Sequence, residues 1–373
     1  MLMPAPRART PAREAAVSAQ RLRRAPRLSA VRLARGVATW RRLSTVGGNM
    51  QRLVGLLVGL MAAARGALLH APAFRPRASI SMASYAIGVD VGTGSARAGV
   101  VDVASGALVG VHKRDIRMWN PKEEHYEQSS EDIWESVCVA TRGALEAARV
   151  DASDVVGIAF DATCSLVCLD GANAPVGVDP TAPAEDERNI IVWLDHRAVA
   201  QASAINLGAH ERLATVGGVI SPEMEVPKML WLKEAMPAAF SRVDGDGGKF
   251  LDLADYLAYR ATDYSKDVRS LCTVVCKWNY DAKVGGGGKG WDRNYFGSIG
   301  FGPKELAEGV IGNDVRTPGA PIEGGIGPHA AAALGLVPGT ALGVGMIDAH
   351  AGGVGSLCAG ERSPSEARMM TTL

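Results

Sequence analysis

The stretch Ile87–Arg97 reads IGVDVGTGSAR, and it gives the strongest indication of the fold of the neighbouring residues. An apolar strand runs into Asp90, and the glycines that follow let the chain turn tightly and approach an anion closely. A carboxylate in this place can hold Mg²⁺ through water, while the hydroxyls of Thr93 and Ser95 can donate to phosphate oxygens. The pattern predicts a strand–turn–strand unit with an anion-binding turn. An ordinary hairpin with an aspartate at its turn is the alternative.

Outward from this stretch, the pattern of apolar residues predicts a meander of three strands joined by tight turns, at 85–91, 96–103 and 107–116. Ser129 and Asp132 form a capping box for a helix that reaches Val150. Further strands are predicted at 155–160 and 166–169, and helices at 198–207, 210–216 and 226–235. Strands in a meander, then alternating with helices, indicate an α/β domain with a mixed sheet.

The first 84 residues differ sharply in charge from the rest. They contain 15 Arg, no Lys and a single acidic residue, Glu14, whereas the remainder carries 25 basic and 38 acidic residues. This composition is typical of an organelle transit peptide. The alternatives are an overextended gene model, with translation starting at Met50 or Met82, and a secretory signal starting at Met50. The apolar run Leu53–Met61 is shorter than the ~20 residues of a membrane span.

These features predict no membrane segment. No aromatic–basic pattern follows the basic stretch, so we also expect no nucleic-acid partner. The six cysteines form no CxxC pair, and Cys164 and Cys168 flank a short apolar strand, which favours buried free thiols and a reducing compartment. We expect a cytoplasmic protein, or a plastid or mitochondrial one if the leader is a transit peptide. The run GGGGKG at 285–290 lacks phosphate-loop spacing and is interpreted as a surface turn.

Two further segments carry groups suited to chemistry. Trp193–Ala198 reads WLDHRA and places an indole beside hydrogen-bonding groups, a mixture that polyhydroxylated ligands need. A helix start with Asp195 as its N-cap explains the same letters. Gly343–Gly353 reads GVGMIDAHAGG and puts Asp348 after a buried strand, where a carboxylate can accept the proton of an alcohol that attacks phosphorus. His350 is either a partner of Asp348 or a packed histidine.

Together these segments resemble the FGGY family of carbohydrate kinases. The D-x-G-T-x-S pattern is similar to the first phosphate motif of the actin-like ATPase superfamily, and Arg97 is similar to the Arg that FGGY kinases direct at the nucleotide phosphates. Trp193–Arg197 resembles the family's W-x-D-x-R segment, and Pro227–Leu232 contains a similar P-K-x-L-W-L core. The segments around Asp161 and around Lys277 and Trp278 look like a ribulokinase-type subgroup. The resemblance runs from about residue 85 to 360.

The resemblance implies a role for each matching residue. Asp348 would be the catalytic base and Asp90 would place Mg²⁺. The remaining residues would bind the nucleotide phosphates (Gly92, Thr93, Gly94, Ser95 and Arg97) or shape the sugar site (Asp161, Trp193, Asp195, His196, Arg197, Glu223 and Lys228).

The resemblance also implies a ribonuclease-H-like α/β fold of the actin/hexokinase superfamily with a mixed sheet. We expect a leader at 1–84, an N-terminal kinase domain at 85–342 and the start of a second actin-like domain at 343–373. Because family members continue further, this chain alone is expected to turn over poorly. The implied reaction transfers a phosphoryl group from ATP, with Mg²⁺, to a pentulose or related polyol. A non-catalytic sugar-binding module and an actin- or chaperone-like ATPase are the rivals, and a homodimer is compatible with the sequence.

Overall fold

The computed structural model describes residues 84–245, 247–284, 290–302 and 309–358. The predicted leader and the 285–289 part of the glycine run lie outside these residues. The described part forms thirteen strands: β1 (Tyr85–Gly92), β2 (Ser95–Asp102), β3 (Leu108–Asp115), β4 (Trp119–Lys122), β5 (His125–Gln128), β6 (Val155–Ala162), β7 (Leu166–Leu169), β8 (Ile190–Ile191), β9 (Lys249–Asp252), β10 (Val268–Ser270), β11 (Asp314–Arg316), β12 (Pro321–Ile322) and β13 (Ala341–Ile347).

Nine α-helices lie in the same described part: α1 (Ser130–Ala148), α2 (Val199–Leu207), α3 (Glu225–Ala235), α4 (Pro237–Val243), α5 (Leu253–Ala261), α6 (Leu271–Lys277), α7 (Arg293–Ser298), α8 (Pro328–Leu334) and α9 (Asp348–Cys358). The capping prediction for α1 is confirmed, because the Ser129 side chain accepts a hydrogen bond from the Asp132 amide. The helix predicted at 210–216 is instead a 3₁₀-helix, Glu211–Val216, capped by His210. At six residues it is too short for a stable α-helix on its own.

A six-stranded mixed sheet forms the centre of the fold, in the order β12-β13-β6-β1-β2-β3. The predicted meander is confirmed, because β1 pairs antiparallel with β2 and β2 with β3. The strands β1, β6 and β13 run parallel to one another. Their carboxyl ends therefore meet at a single edge of the sheet, which is where α/β folds bind ligands.

β13 differs from its predicted placement. A second domain was predicted to start at residue 343, but β13 pairs with β6 within the central sheet. Its apolar letters fit any buried parallel strand and do not specify which sheet it joins. As a result, the turn that carries Asp348 lies on the same sheet as the Thr93–Gly94 turn, which is predicted to bind phosphate and is called the phosphate turn below.

A second, five-stranded sheet has the order β4-β5-β8-β7-β9. The chain crosses into it directly after β6, since β6 ends at Ala162 and β7 begins at Leu166. One apolar core packs the central sheet against α1, α5 and α8, and a second core packs the five-stranded sheet against α2, α3 and α4. The two sheets thus bring two loop systems to the carboxyl edge of the central sheet.

No helix in the described residues is both long enough and apolar enough to cross a membrane.

Candidate active site

Three aspartates from three neighbouring parallel strands meet at the carboxyl edge of the central sheet. Asp90 on β1 and Asp161 on β6 are paired directly in the strand register. Asp348 follows β13 and is the first residue of α9. The structure therefore brings together the predicted metal ligand, one predicted sugar ligand and the predicted base.

The charge at this edge is only partly compensated. Arg97 lies opposite Asp90 in the β1–β2 register and donates from Nη1 to its Oδ2 at 2.6 Å. Even so, burial raises the pKa of Asp90 above its ordinary value against the opposing effect of Arg97. Burial, together with the nearby charges of Asp90 and Asp348, raises the pKa of Asp161 to about 8. Among the described side chains, Arg97 pairs with Asp90 at an edge that carries three carboxyl groups, a set of oxygen ligands that suits a cation.

The residues at this edge fit a magnesium ion. Mg²⁺ is usually held by one or two carboxylates plus substrate phosphates and waters. Asp90 with its neighbour Asp161 supplies such a pair, next to the turn where phosphates would lie. In the described ranges, no group of three or more His, Cys, Asp or Glu side chains is arranged to hold a metal ion alone. Asp90 remains the predicted ligand.

Asp348 stands at the start of α9, half-buried, and its Oδ1 accepts a hydrogen bond from the Ala349 amide at 2.7 Å. This bond to its own helix terminus fixes the direction of the carboxylate. His350, one of the open alternatives, is exposed and contacts Cys272 rather than Asp348. The packed-histidine interpretation is therefore wrong, because α9 presents this side chain outward.

The phosphate turn is a two-residue hairpin of Thr93 and Gly94 between β1 and β2. It is held from the second sheet, because Gln128 Nε2 donates to the Thr93 carbonyl at 2.8 Å and Trp193 Nε1 donates to Thr93 Oγ1 at 2.9 Å. Since the Thr93 oxygen accepts that bond, its hydroxyl proton stays available for a phosphate oxygen. Trp193, predicted to border the sugar site, thus also anchors the phosphate turn.

Replacing Gly94 with Ala is expected to separate ligand binding from folding. Gly94 has no positive φ, and a Cβ built on it meets no protein atom within 4 Å. The substitution should leave the melting temperature unchanged within about 1 °C but weaken Mg-ATP binding by roughly tenfold, because the methyl group would occupy the space predicted for a phosphate. Calorimetry on both proteins checks this. Unchanged nucleotide affinity would show that the phosphates lie elsewhere.

The Asp195–Arg197 pair is buried behind the site. Arg197 donates to both oxygens of Asp195, to Glu127 Oε1 at 3.0 Å and to the Val178 carbonyl at 2.8 Å. Asp195 also accepts the Tyr126 amide at 2.6 Å. All three guanidinium nitrogens of Arg197 therefore donate to oxygen atoms of the protein.

The described bonds of Asp195 and Arg197 position the loop that carries Trp193. The helix-start alternative for Asp195 is wrong, because α2 begins at Val199 and its N-cap is Ala198. In place of the predicted cap, the Asp195 carboxylate accepts hydrogen bonds from the amide and the guanidinium of Arg197.

Lys228 is also buried. Its Nζ donates to the Val192 carbonyl at 3.1 Å and lies 3.8 Å from Glu225. The lysine therefore supports the strand that leads into Trp193. Whether Lys228 and the Asp195–Arg197 pair contact a sugar stays a prediction; their described bonds act on the loop from behind.

His196 and Glu223 lie together at the more exposed side of the same loop. The two ring nitrogens of His196 contact two carboxylates, Glu124 through Nδ1 at 3.0 Å and Glu223 through Nε2 at 3.1 Å. Glu124 was not predicted, and its left-handed backbone, with a φ of 64°, places it in the β4–β5 turn. The motif gave no signal for a partner 72 residues away in sequence.

Replacing Asp161 with Asn is expected to make stability less dependent on pH. The pKa of Asp161 is raised from 3.8 to about 8, so the folded state keeps a proton that the unfolded state releases between these values. The contribution of Asp161 to stability therefore falls as pH rises from about 4 to about 8. Without Mg²⁺, the variant should melt at least about 2 °C higher at pH 8.5 and match the unmodified protein near pH 4. A difference in melting temperature between the two proteins that does not change with pH would contradict the burial of Asp161 beside Asp90 and Asp348.

The six-stranded mixed sheet, with three aspartates and a glycine-containing turn at its carboxyl edge, has a ribonuclease-H-like fold. Residues 85–285 match the FGGY family of carbohydrate kinases, N-terminal domain. The chain belongs to this family.

Relatives and solved structures agree with this assignment. The FGGY carbohydrate kinase domain-containing protein of Homo sapiens is 45% identical over 256 residues, which cover 68% of this chain and 43% of the relative. The D-ribulokinase of Saccharomyces cerevisiae is 41% identical over 223 residues, 59% of this chain and 30% of the relative. The ligand-bound xylulose kinase of Lactobacillus acidophilus has a similar fold, with a TM-score of 0.59. The two sequences are 20% identical, and the match covers 74% of this chain and 50% of the xylulose kinase chain. The chain spans less than half the length of these curated relatives.

Proposed function

We propose that the protein takes part in ATP-dependent phosphorylation of a pentulose, such as ribulose, or of a related polyol. The observation that carries the proposal is the meeting of Asp348 with Asp90 and the phosphate turn at one sheet edge. Support for a pentulose comes from the relatives, since one of them is a D-ribulokinase.

In the proposed reaction, the Asp348 carboxylate accepts the proton of the sugar hydroxyl as its oxygen attacks the terminal phosphorus of ATP. The Ala349 amide keeps that carboxylate oriented. Thr93 and the open side of Gly94 bind phosphate oxygens, and Arg97 reaches them from β2. Magnesium, when held at Asp90, would neutralise phosphate charge.

The sugar would lie between the phosphate turn and the Trp193–His196 loop. Trp193 supplies an apolar plate, while His196 and Glu223 offer donors and acceptors to hydroxyl groups. The buried Asp195–Arg197 pair holds this loop against β5. Such support matters because displacement of a bound alcohol by about 1 Å costs a large part of the rate.

Calorimetry tests this proposal against the sugar-binding module. D-ribulose, D-xylulose and ribitol are titrated into the protein with and without a non-hydrolysable Mg-ATP analogue. We expect one of the three to bind, and to bind more tightly with the nucleotide, because sugar and phosphates share the edge. Binding that ignores the nucleotide would favour a non-catalytic module, and no binding of any of them would overturn the pentulose proposal.

A further inference from the structure

Two cysteines lie beside the turn that carries Asp348. Cys272 and Cys276 are one helical turn apart on α6 and are both partly exposed. The start of this helix is tied to β13, because Ser270 caps the Cys272 amide and donates from Oγ to the Gly345 carbonyl at 2.7 Å. A displacement of α6 would therefore also displace β13, the strand that precedes Asp348.

Cys272 makes the closest connection. Its Sγ lies 2.9 Å from Nδ1 of His350, two residues beyond Asp348. The hydrogen bond with Cys276 and burial raise the pKa of Cys272, against a smaller opposing effect of a hydrogen bond that the same sulfur receives from the Ile347 amide. One sulfur thus contacts the chain on both sides of Asp348.

The pair differs from the other described cysteines in its chemistry. A hydrogen bond with Cys272, aided by the charges of His350 and Lys277 and opposed by burial, lowers the pKa of Cys276 to about 6. Burial instead raises the pKa of Cys138 to about 11. The thiolate is the reactive form of cysteine, so geometry and charge single out this pair.

We propose that Cys276 and Cys272 form a peroxide-sensitive thiol pair whose oxidation to a disulfide displaces the turn carrying Asp348. The Cys276 thiolate attacks hydrogen peroxide, so that an S–O bond forms, the O–O bond breaks and hydroxide leaves to be protonated to water. The sulfenic acid, oxidised by two electrons, is then attacked by the Cys272 sulfur. An S–S bond forms, the S–O bond breaks, and the Cys272 proton leaves with that oxygen as a second water.

The geometry allows the second step at a cost to the contacts of Cys272. Positions four apart on a helix have Cα atoms about 6 Å apart, within the range of roughly 4.4–6.8 Å that disulfides span. Their Cβ atoms must still come closer, which a helix of seven residues can permit by distorting its last turn. The Cys272 sulfur then leaves the Ile347 amide and His350, and the Asp348 turn loses both contacts.

Peptide mass spectrometry after dilute hydrogen peroxide treatment tests the chemistry. All proteins carry Cys358→Ser, since the side chain of Cys358 lies outside the described part. We expect loss of two hydrogens across the Cys272–Cys276 peptide, at a rate at least about tenfold above any oxidation of Cys138 or Cys164. In Cys272→Ser, dimedone should trap a sulfenic acid at Cys276. In His350→Gln, the rate should fall severalfold.

The structural consequence is read by amide hydrogen exchange. Peptides covering 341–352 should exchange faster after oxidation and recover with dithiothreitol, whereas Cys276→Ser should show no response to peroxide. Equal oxidation of the buried cysteines, absence of a sulfenic acid at Cys276, or unchanged exchange after disulfide formation would each overturn the proposal. Only the role of Asp348 as a catalytic base rests on the proposed function. The mass and exchange measurements stand without it, so the two proposals can fail separately.

Discussion

Asp348→Asn is expected to lower phosphoryl transfer to a pentulose by about 10²–10⁴-fold while leaving pentulose affinity within about threefold. The amide keeps the shape of the side chain and can still face the Ala349 amide, but it cannot accept the proton of the attacking hydroxyl. The loss should therefore appear in kcat rather than in KM. The assay uses protein translated from the full native transcript, so the comparison does not depend on where the 373-residue sequence begins or ends.

The matched control for this prediction is Asp102→Asn. Asp102 ends β2 opposite Tyr85, at the amino end of β1 and thus at the edge of the central sheet remote from Asp348, and its carboxylate accepts surface hydrogen bonds from the Ser105 amide and hydroxyl. It carries the same chemical change without access to the site, so its kcat should match that of the unmodified protein. Loss of less than about tenfold in Asp348→Asn would remove Asp348 from the role of base.

Arg197→Ala is expected to destabilise the protein by about 3–5 kcal/mol, a decrease in melting temperature on the order of 10 °C. The Arg197 and Asp195 side chains and that of Glu127 are fully buried. Removing the guanidinium leaves the Asp195 carboxylate buried without its cation and leaves Glu127 paired with Arg188 alone, at 3.4 Å. It also removes the contact of Arg197 over the Trp231 ring, 4.9 Å away. Chemical denaturation followed by tryptophan fluorescence measures the change.

Arg316→Ala serves as the comparison for this second prediction. Arg316 also pairs with a carboxylate two residues away, Asp314, but both side chains are partly exposed. Its loss should cost less than about 1 kcal/mol. Arg197→Lys should recover only part of the stability, because one ammonium cannot replace the fork that meets Asp195 and Glu127 together. Similar losses for Arg197→Ala and Arg316→Ala would contradict the buried network.

Much of the site could be predicted because its position follows from local rules. An aspartate directly after an apolar strand lies at the carboxyl end of that strand, whatever the rest of the chain does. Asp90 and Asp161 lie among the last three residues of such strands and Asp348 directly follows one, and the parallel pairing of β1, β6 and β13 places them at a shared edge. The glycine-rich turn between β1 and β2 was predictable for the same reason.

The remaining contacts could not be predicted because they join distant parts of the chain. The W-x-D-x-R letters suit a ligand surface and a buried ion pair equally, and only the burial of Glu127, 70 residues from Arg197, separates the two. Cys272 and His350 are 78 residues apart and meet only because α6 is tied to β13. The periodicity of apolar residues along the sequence predicts local helices and strands but not contacts between such distant residues. The membership of β13 in the central sheet was missed for the same reason.

We propose that residues at this edge of the central sheet catalyse transfer of a phosphoryl group from ATP to a sugar. The most direct measurement is ADP release by protein from the full native transcript, with phosphorus NMR to identify the product, in the presence and absence of D-ribulose, D-xylulose or ribitol. We predict ADP release that requires one of these substrates and yields one sugar phosphate per ADP. ADP release at the same rate without sugar would indicate an ATPase and contradict the account, as would the absence of phosphorylated product with all three substrates.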